Sequence, residues 1–170
     1  MFRYLFMKKV GLNSLLGVFL CCAACFFSVN TFAMSITGEW RTVSDSNGES
    51  TSVIKIVKQK DGSYLGAVDY IYPQKDAQQF CENCPEPKTN KPILGMTIMH
   101  SLQADSDDAN EYTGGRIMDP KSGKTYRLKV VQLSDNKLKL RGYIGIPLFG
   151  RTQYWYRYDG NKKLLLSSHG

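Results

Sequence analysis

The sequence predicts an all-β protein: a single small antiparallel up-and-down β-barrel of about eight strands behind an N-terminal signal peptide. Three observations lead there. From Ser35 onward, short apolar and β-branched runs are punctuated by turn residues. No run sustains a 3.6-residue period. Two runs, 124–133 and 136–144, alternate cleanly between apolar and charged positions.

The N-terminus carries Arg3, Lys8 and Lys9, then an apolar run from Val10 to Val29, then Thr31-Phe32-Ala33. Basic, apolar and small-residue segments in that order form a secretory signal, with cleavage expected after Ala33. The domains are therefore 1–33, signal peptide, and 34–170, barrel, with a periplasmic or secreted location. Two rivals stand beside this reading. The run approaches the roughly 20 apolar residues of a retained anchor, and Cys25 follows Ala23-Ala24 as a lipidated cysteine would, although Cys22 stands where that signal prefers leucine. Cleavage leaves 19 of the 22 basic residues against 15 acidic ones, so the net charge falls from +7 to +4. Those charges are spread along the strands, which predicts a solvated surface and no nucleic-acid partner.

The strands follow in order. The first, 36–42, holds Trp40 and ends before Ser46-Asn47-Gly48; the second, 51–59, and third, 63–72, are joined at Asp61-Gly62. The connection from Pro73 to Pro92 contains four of the six prolines, and its twenty residues suit a lid or binding loop. The fourth strand, 93–102, precedes the polar turn Asp105 to Asp108, and the fifth, 111–118, precedes Asp119-Pro120. The sixth, 124–133, sets Tyr126, Leu128 and Val130 against Arg127 and Lys129. The seventh, 136–144, sets Leu138, Leu140 and Ile144 against Lys137, Lys139 and Arg141, and the eighth spans 150–158. One wet face on successive strands means antiparallel pairing around one core. Closing the meander removes its edges, which favours a barrel over a sandwich. An outer-membrane barrel is rejected, because its charged face would meet lipid; after signal cleavage the protein is not membrane-spanning.

Cys81-Glu82-Asn83-Cys84 is the sharpest chemical feature, and only these two of five cysteines lie beyond the signal. A redox motif of this spacing opens a helix in a βαβ unit, whereas here it sits in a proline-rich loop. Zinc would need two more ligands, and only His100 and His169 are offered. A structural disulfide between Cys81 and Cys84 is preferred over both. Calcium at Asp105, Asp107, Asp108 and Glu111 fails on Ala109 and Asn110 at the fifth and sixth loop positions. No nucleophile elbow, zinc-protease motif or phosphate loop is present, so no enzyme, catalytic residue or cofactor is predicted. His100 shares a strand face with Met96 and Ile98 and reads as a core or rim residue, with ligand contact as the functional alternative. Tyr154, Tyr156 and Tyr158 lie opposite Gln153, Trp155 and Arg157; whichever set faces inward gives the interior a polar handle among aromatic walls. A barrel filled by its own side chains is the alternative. The apolar connection Ile146-Pro147-Leu148-Phe149 marks Ile146, Leu148 and Phe149 as contacts at a barrel mouth or on a partner.

Three stretches together resemble the exported bacterial family catalogued as domain of unknown function 2147. They are Gly38-Glu39-Trp40; Cys81 to Cys84 with Pro92-Ile93-Leu94-Gly95; and the block from Gly114 through Gly142-Tyr143 to Tyr154-Trp155. The resemblance implies a lone exported domain and supplies no activity. A looser likeness is to lipocalin-type barrels, where a Gly-x-Trp opens the first strand and an arginine of the last packs over the tryptophan. That likeness gives those parts to Trp40 and either Arg157 or Arg151; Trp155, near the end of the last strand, is expected to be structural too, because a closed meander sets that strand beside the first.

Two functions are expected from these features. The first is binding of a small or lipid-like ligand at a mouth framed by loops 73–92 and 145–150. The second is an envelope interaction module with a filled core whose apolar tip meets a protein or membrane. A thiol redox protein trails both.

Overall fold

The structure, a computed structural model, describes residues 35–160. The expected signal peptide, Cys25 and His169 lie outside the described residues. Eight strands form one closed antiparallel barrel in chain order: β1 (Gly38–Val43), β2 (Ser50–Lys58), β3 (Tyr64–Ile71), β4 (Thr97–Ala104), β5 (Glu111–Met118), β6 (Thr125–Ser134), β7 (Lys137–Tyr143) and β8 (Arg151–Arg157). Closure is made where β1 pairs with β8, with Trp40 opposite Arg157 and Arg41 opposite Tyr156.

The alternation seen in the sequence decides which way each strand faces. Leu128, Val130, Leu138 and Leu140 are buried inside the barrel, while Arg127 and Lys139 stand on its outer wall. Trp40 and Trp155 are fully enclosed with Ile54, Ile56, Met99 and Leu102. Each indole removes about 150–250 Å² from water, worth about 4–6 kcal/mol at ~25 cal/mol per Å². The interior is filled to the point that even a Cβ at two inward glycines would press on its neighbours. A Cβ on Gly66 would lie 2.9 Å from the Met99 Cε, and one on Gly115 2.7 Å from the Leu102 Cδ1.

The fourth strand departs from the expected 93–102. Gly95 has φ +81°, which turns the chain before it can join the ladder, so β4 begins at Thr97. Ser101, at φ +58°, then resets the alternation and leaves Leu102 buried next to an exposed Ser101. Met96 therefore lies before the strand, and His100 points outward instead of sharing a core face with Met96 and Ile98.

Both barrel ends are closed. At one, Ile36 is fully buried and its carbonyl accepts a 2.7 Å hydrogen bond from the Trp40 indole Nε1. At the other, Cys81, Cys84, Ile93 and Met96 from the β3–β4 connection join the same buried cluster as the barrel interior.

Candidate functional site

In an up-and-down barrel, alternate connections gather at the same end. The β1–β2, β3–β4, β5–β6 and β7–β8 loops therefore share the end that the cysteine loop closes. Loops 73–92 and 145–150 do frame one end, but the first plugs it, so the open mouth expected between them is absent among the described residues.

The plug is built around Cys81 and Cys84, which pair as a disulfide with their Cα atoms 5.4 Å apart. The Cys81 amide donates to the Lys91 carbonyl and its own carbonyl accepts from the Asn90 amide, both at 2.9 Å. The Asn83 side-chain amide donates to the Lys121 carbonyl at 3.3 Å. Gly123 makes the join to the β5–β6 turn: with φ +70°, any Cβ there would lie 1.7 Å from the Asn83 carbonyl oxygen. Cys81 is fully buried and Cys84 nearly so, which shields both sulfurs from the thiol partners that an exchanging pair must meet. Among the described residues, no three His, Cys, Asp or Glu side chains converge as a metal site.

Beside the plug rises the β7–β8 connection. Ile144, Ile146, Leu148 and Phe149 are 54–80 % exposed, an inversion of the usual polar turn. They are held there by their backbone. Pro147–Phe149 forms a 3-10 turn, and the Arg141 guanidinium donates to the carbonyls of Pro147 and Leu148, each at 2.9 Å, and to Thr152 Oγ1 at 2.8 Å. The bond to Thr152 is partly buried, whereas the two to the tip carbonyls are exposed and weakened by solvent; acting together, the three bonds give the apolar tip a defined frame. Gly150 lets the frame close, since a Cβ there would sit 2.6 Å from the Gly142 carbonyl oxygen. Phe80 and Leu94 of the plug are also exposed. Six of the eight large exposed hydrophobic side chains among the described residues thus lie in connections at this one end.

The structure divides the aromatic residues of β8, which the alternation in the sequence left open between inside and outside. Trp155 points into the barrel, so Tyr154 and Tyr156 stand on its outside. There the Lys137 ammonium lies over Tyr154 at 4.7 Å and over Tyr156 at 5.6 Å, and the Arg41 guanidinium lies 5.4 Å from the Tyr156 ring. Tyr158 covers Val53 with Tyr72 on the same outer wall, and burial pushes its hydroxyl pKa up. A second inward polar group, Gln132, has no counterpart among the residues singled out from the sequence. Gln132 is buried on β6, and neither its Nε2 nor its Oε1, nor the Trp155 Nε1, has a protein hydrogen-bond partner. Leu138 pairs with both residues across β7, which places Gln132 and Trp155 at one level of the interior.

The structural residues resolve into separate roles. Arg157 stacks on Trp40, 3.9 Å from the ring, whereas Arg151 turns away to an ion pair with Asp45. His100 is exposed on β4, 3.2 Å from Ser101 Oγ, and opposite Arg116. Partial desolvation of the ring at the surface, then Lys88 and Arg116, hold its pKa below the usual imidazole value. On the adjoining outer wall, Gly114, Gly115, Arg116, Arg127 and Tyr143 line a crevice of about 260 Å³. Its two arginines face each other across β5 and β6. The charge alternation on β6 was legible in the sequence, but pairing Arg127 with Arg116 required the register.

Comparison with known proteins agrees with this architecture. The family described as "Uncharacterized protein conserved in bacteria (DUF2147)" matches residues 38–157. No curated protein matches. Among solved structures, the Helicobacter pylori protein HP1028, described as belonging to the lipocalin family, superposes with a TM-score of 0.65 at 21 % identity, covering 75 % of this chain and 86 % of that one.

Proposed function

The chain belongs to the bacterial DUF2147 family, and from that premise we propose that it is an exported, non-catalytic binding domain of the cell envelope that engages a lipid-like partner through the outside of its barrel. The single observation that carries this reading is the tip. Four apolar side chains stand 54–80 % exposed on a loop whose Pro147 and Leu148 carbonyls accept from Arg141, a guanidinium anchored in turn to Thr152 Oγ1 of β8. Leaving these side chains in water forgoes about 1.5–3 kcal/mol each, and a fixed, exposed apolar protrusion marks a contact surface. The filled interior supports an exterior site, because Trp40, Leu102, Val130 and Leu138 are fully enclosed. Export is supported by the basic, apolar and small-residue order of 1–33 and by a disulfide that requires an oxidising compartment. The absence of a catalytic motif in the sequence supports a binding role.

Flotation with lipid vesicles tests the reading. The mature protein is expected to float with vesicles, and Leu148→Asp with Phe149→Asp to stay at the bottom while keeping the wild-type circular dichroism spectrum. Equal flotation of the two proteins would refute it.

A second reading, a small ligand held inside the barrel, is favoured by one observation: Gln132 and the Trp155 Nε1 are buried without protein partners. Buried groups in that state cost about 1–3 kcal/mol each and suit a polar guest admitted when the barrel opens. Native mass spectrometry of protein taken from its own periplasm would reveal a retained small molecule on this reading, and an empty chain on the first.

A further inference from the structure

The crevice on the outer wall has a charge arrangement that the fold does not need. Arg116 and Arg127 sit directly opposite each other on β5 and β6, and like charges in that position are destabilising. The other arginines of the barrel are all occupied. Arg41 bonds Ser50 and lies over Tyr156; Arg141 holds the tip; Arg151 pairs with Asp45; Arg157 stacks on Trp40. Among the described residues, the ion pairs are Lys129 with Glu111 and Arg151 with Asp45, and neither guanidinium of the crevice joins them.

The backbone around the crevice is distorted as well. β5 bulges between Tyr112 and Gly115, with Gly114 at φ +71°, and on the neighbouring strand Ser101 adopts φ +58°, an uncommon conformation for a residue with a Cβ. Bulges and left-handed residues of this kind gather at binding sites, where they re-aim side chains. Tyr143 adds a phenol to the crevice lining, and His100 flanks it opposite Arg116. Two planar guanidinium groups and a hydroxyl match the oxygens of a phosphate, which arginine binds bidentately.

Position supplies the source of that phosphate. Tyr143 is the last residue of β7, and the apolar tip begins at Ile144. A cationic crevice immediately beside an exposed apolar protrusion is the pairing that anionic membranes recognise: the tip enters the acyl boundary while the arginines meet the headgroups. We propose that Arg116, Arg127 and Tyr143 form a binding site for the phosphate of an anionic lipid headgroup, orienting the barrel on a membrane surface. This rests on the exterior-binding reading and adds the chemistry of the partner.

Sedimentation of the mature protein with two vesicle types tests it: phosphatidylcholine alone, and phosphatidylcholine mixed with phosphatidylglycerol. At about 1 kcal/mol per basic residue near an anionic surface, Arg116→Gln with Arg127→Gln should weaken binding to the mixed vesicles about 30-fold. Residual binding to neutral vesicles should survive, because the tip is intact. The thermal midpoint should hold or rise as the facing charges go, a shift that a merely structural pair would not give. Full retention of the preference for anionic vesicles by this variant overturns the proposal and leaves the exterior reading standing. Absence of wild-type binding to either vesicle overturns both and leaves a protein surface as the occupant. If inorganic phosphate shifts the His100 ring resonances while vesicles bind without anionic preference, the site takes a soluble phosphate and the lipid assignment is wrong.

Discussion

The Arg157 guanidinium lies 3.9 Å above the ring of Trp40, joining the last strand of the barrel to the first across 117 residues of chain. Three carbonyls accept from the guanidinium around its edge: Thr37 at 2.6 Å, Asp135 at 2.9 Å and Ser35 at 3.2 Å. Gly38 makes room, since a Cβ there would lie 2.9 Å from Arg157 Nη1. One side chain thus ties together the entry segment, the seam between β1 and β8, and the β6–β7 turn.

A double-mutant cycle across that seam should show coupling. Trp40→Ala is expected to cost about 3–5 kcal/mol through lost burial, and Arg157→Ala less. The two together should cost about 0.5–2 kcal/mol less than their sum, the range of a cation–π contact. Urea denaturation measures all three; strict additivity would mean that the contact carries no energy.

The barrel, its strand count and its closure were legible because period-2 patterning and turn residues are local signals. Leu128 against Arg127 and Leu138 against Lys139 state their faces outright. The same local signal misplaced β4, where Gly95 and Ser101 bend the backbone in ways that residue identity alone does not announce. It left Tyr154 and Trp155 undivided between inside and outside, because both are good strand formers with a polar tip. The Arg116–Arg127 pair and the neighbourhood of Gln132 and Trp155 depend on register between strands, which no single stretch of chain encodes.

The filled interior makes a sharp demand at Gly115. Its missing side chain is the space that Leu102 occupies, 2.7 Å from where a Cβ would stand. Gly115→Ala is expected to lose about 1–3 kcal/mol through overpacking. A variant as stable as the wild type in chemical denaturation would show an interior with room to spare.

The cysteine pair should behave as a buried staple. Intact mass measured without reductant is expected to show no free thiols in the exported protein. Folded protein should resist mild reductant, because Cys81 is fully enclosed. Once forced open, the four-residue ring should release little stability, since so short a loop restricts few unfolded conformations. Rapid reduction under native conditions would point instead to an exchanging thiol pair.

His100 gives the pH dependence its sign. Its folded pKa is lowered by partial desolvation, Lys88 and Arg116, so well above the unfolded value of about 6.5 the ring is uncharged in both states and contributes nothing. As pH falls below about 6.5, the unfolded chain binds a proton that the folded chain resists, and stability declines. Proton-detected titration should place the His100 midpoint below that of a free imidazole, and Arg116→Gln should move it upward. A midpoint at or above the ordinary value would contradict the electrostatics described for this wall.

The most direct measurement of the central claim is a map of amide and indole NMR shifts on adding lipid bilayer discs that contain phosphatidylglycerol. Binding from outside predicts changes at Ile144 to Gly150, Arg116, Arg127 and Tyr143, with the Trp155 indole resonance unmoved. Changes centred on Trp155 and Gln132, with the tip silent, would place the ligand inside the barrel and contradict the account.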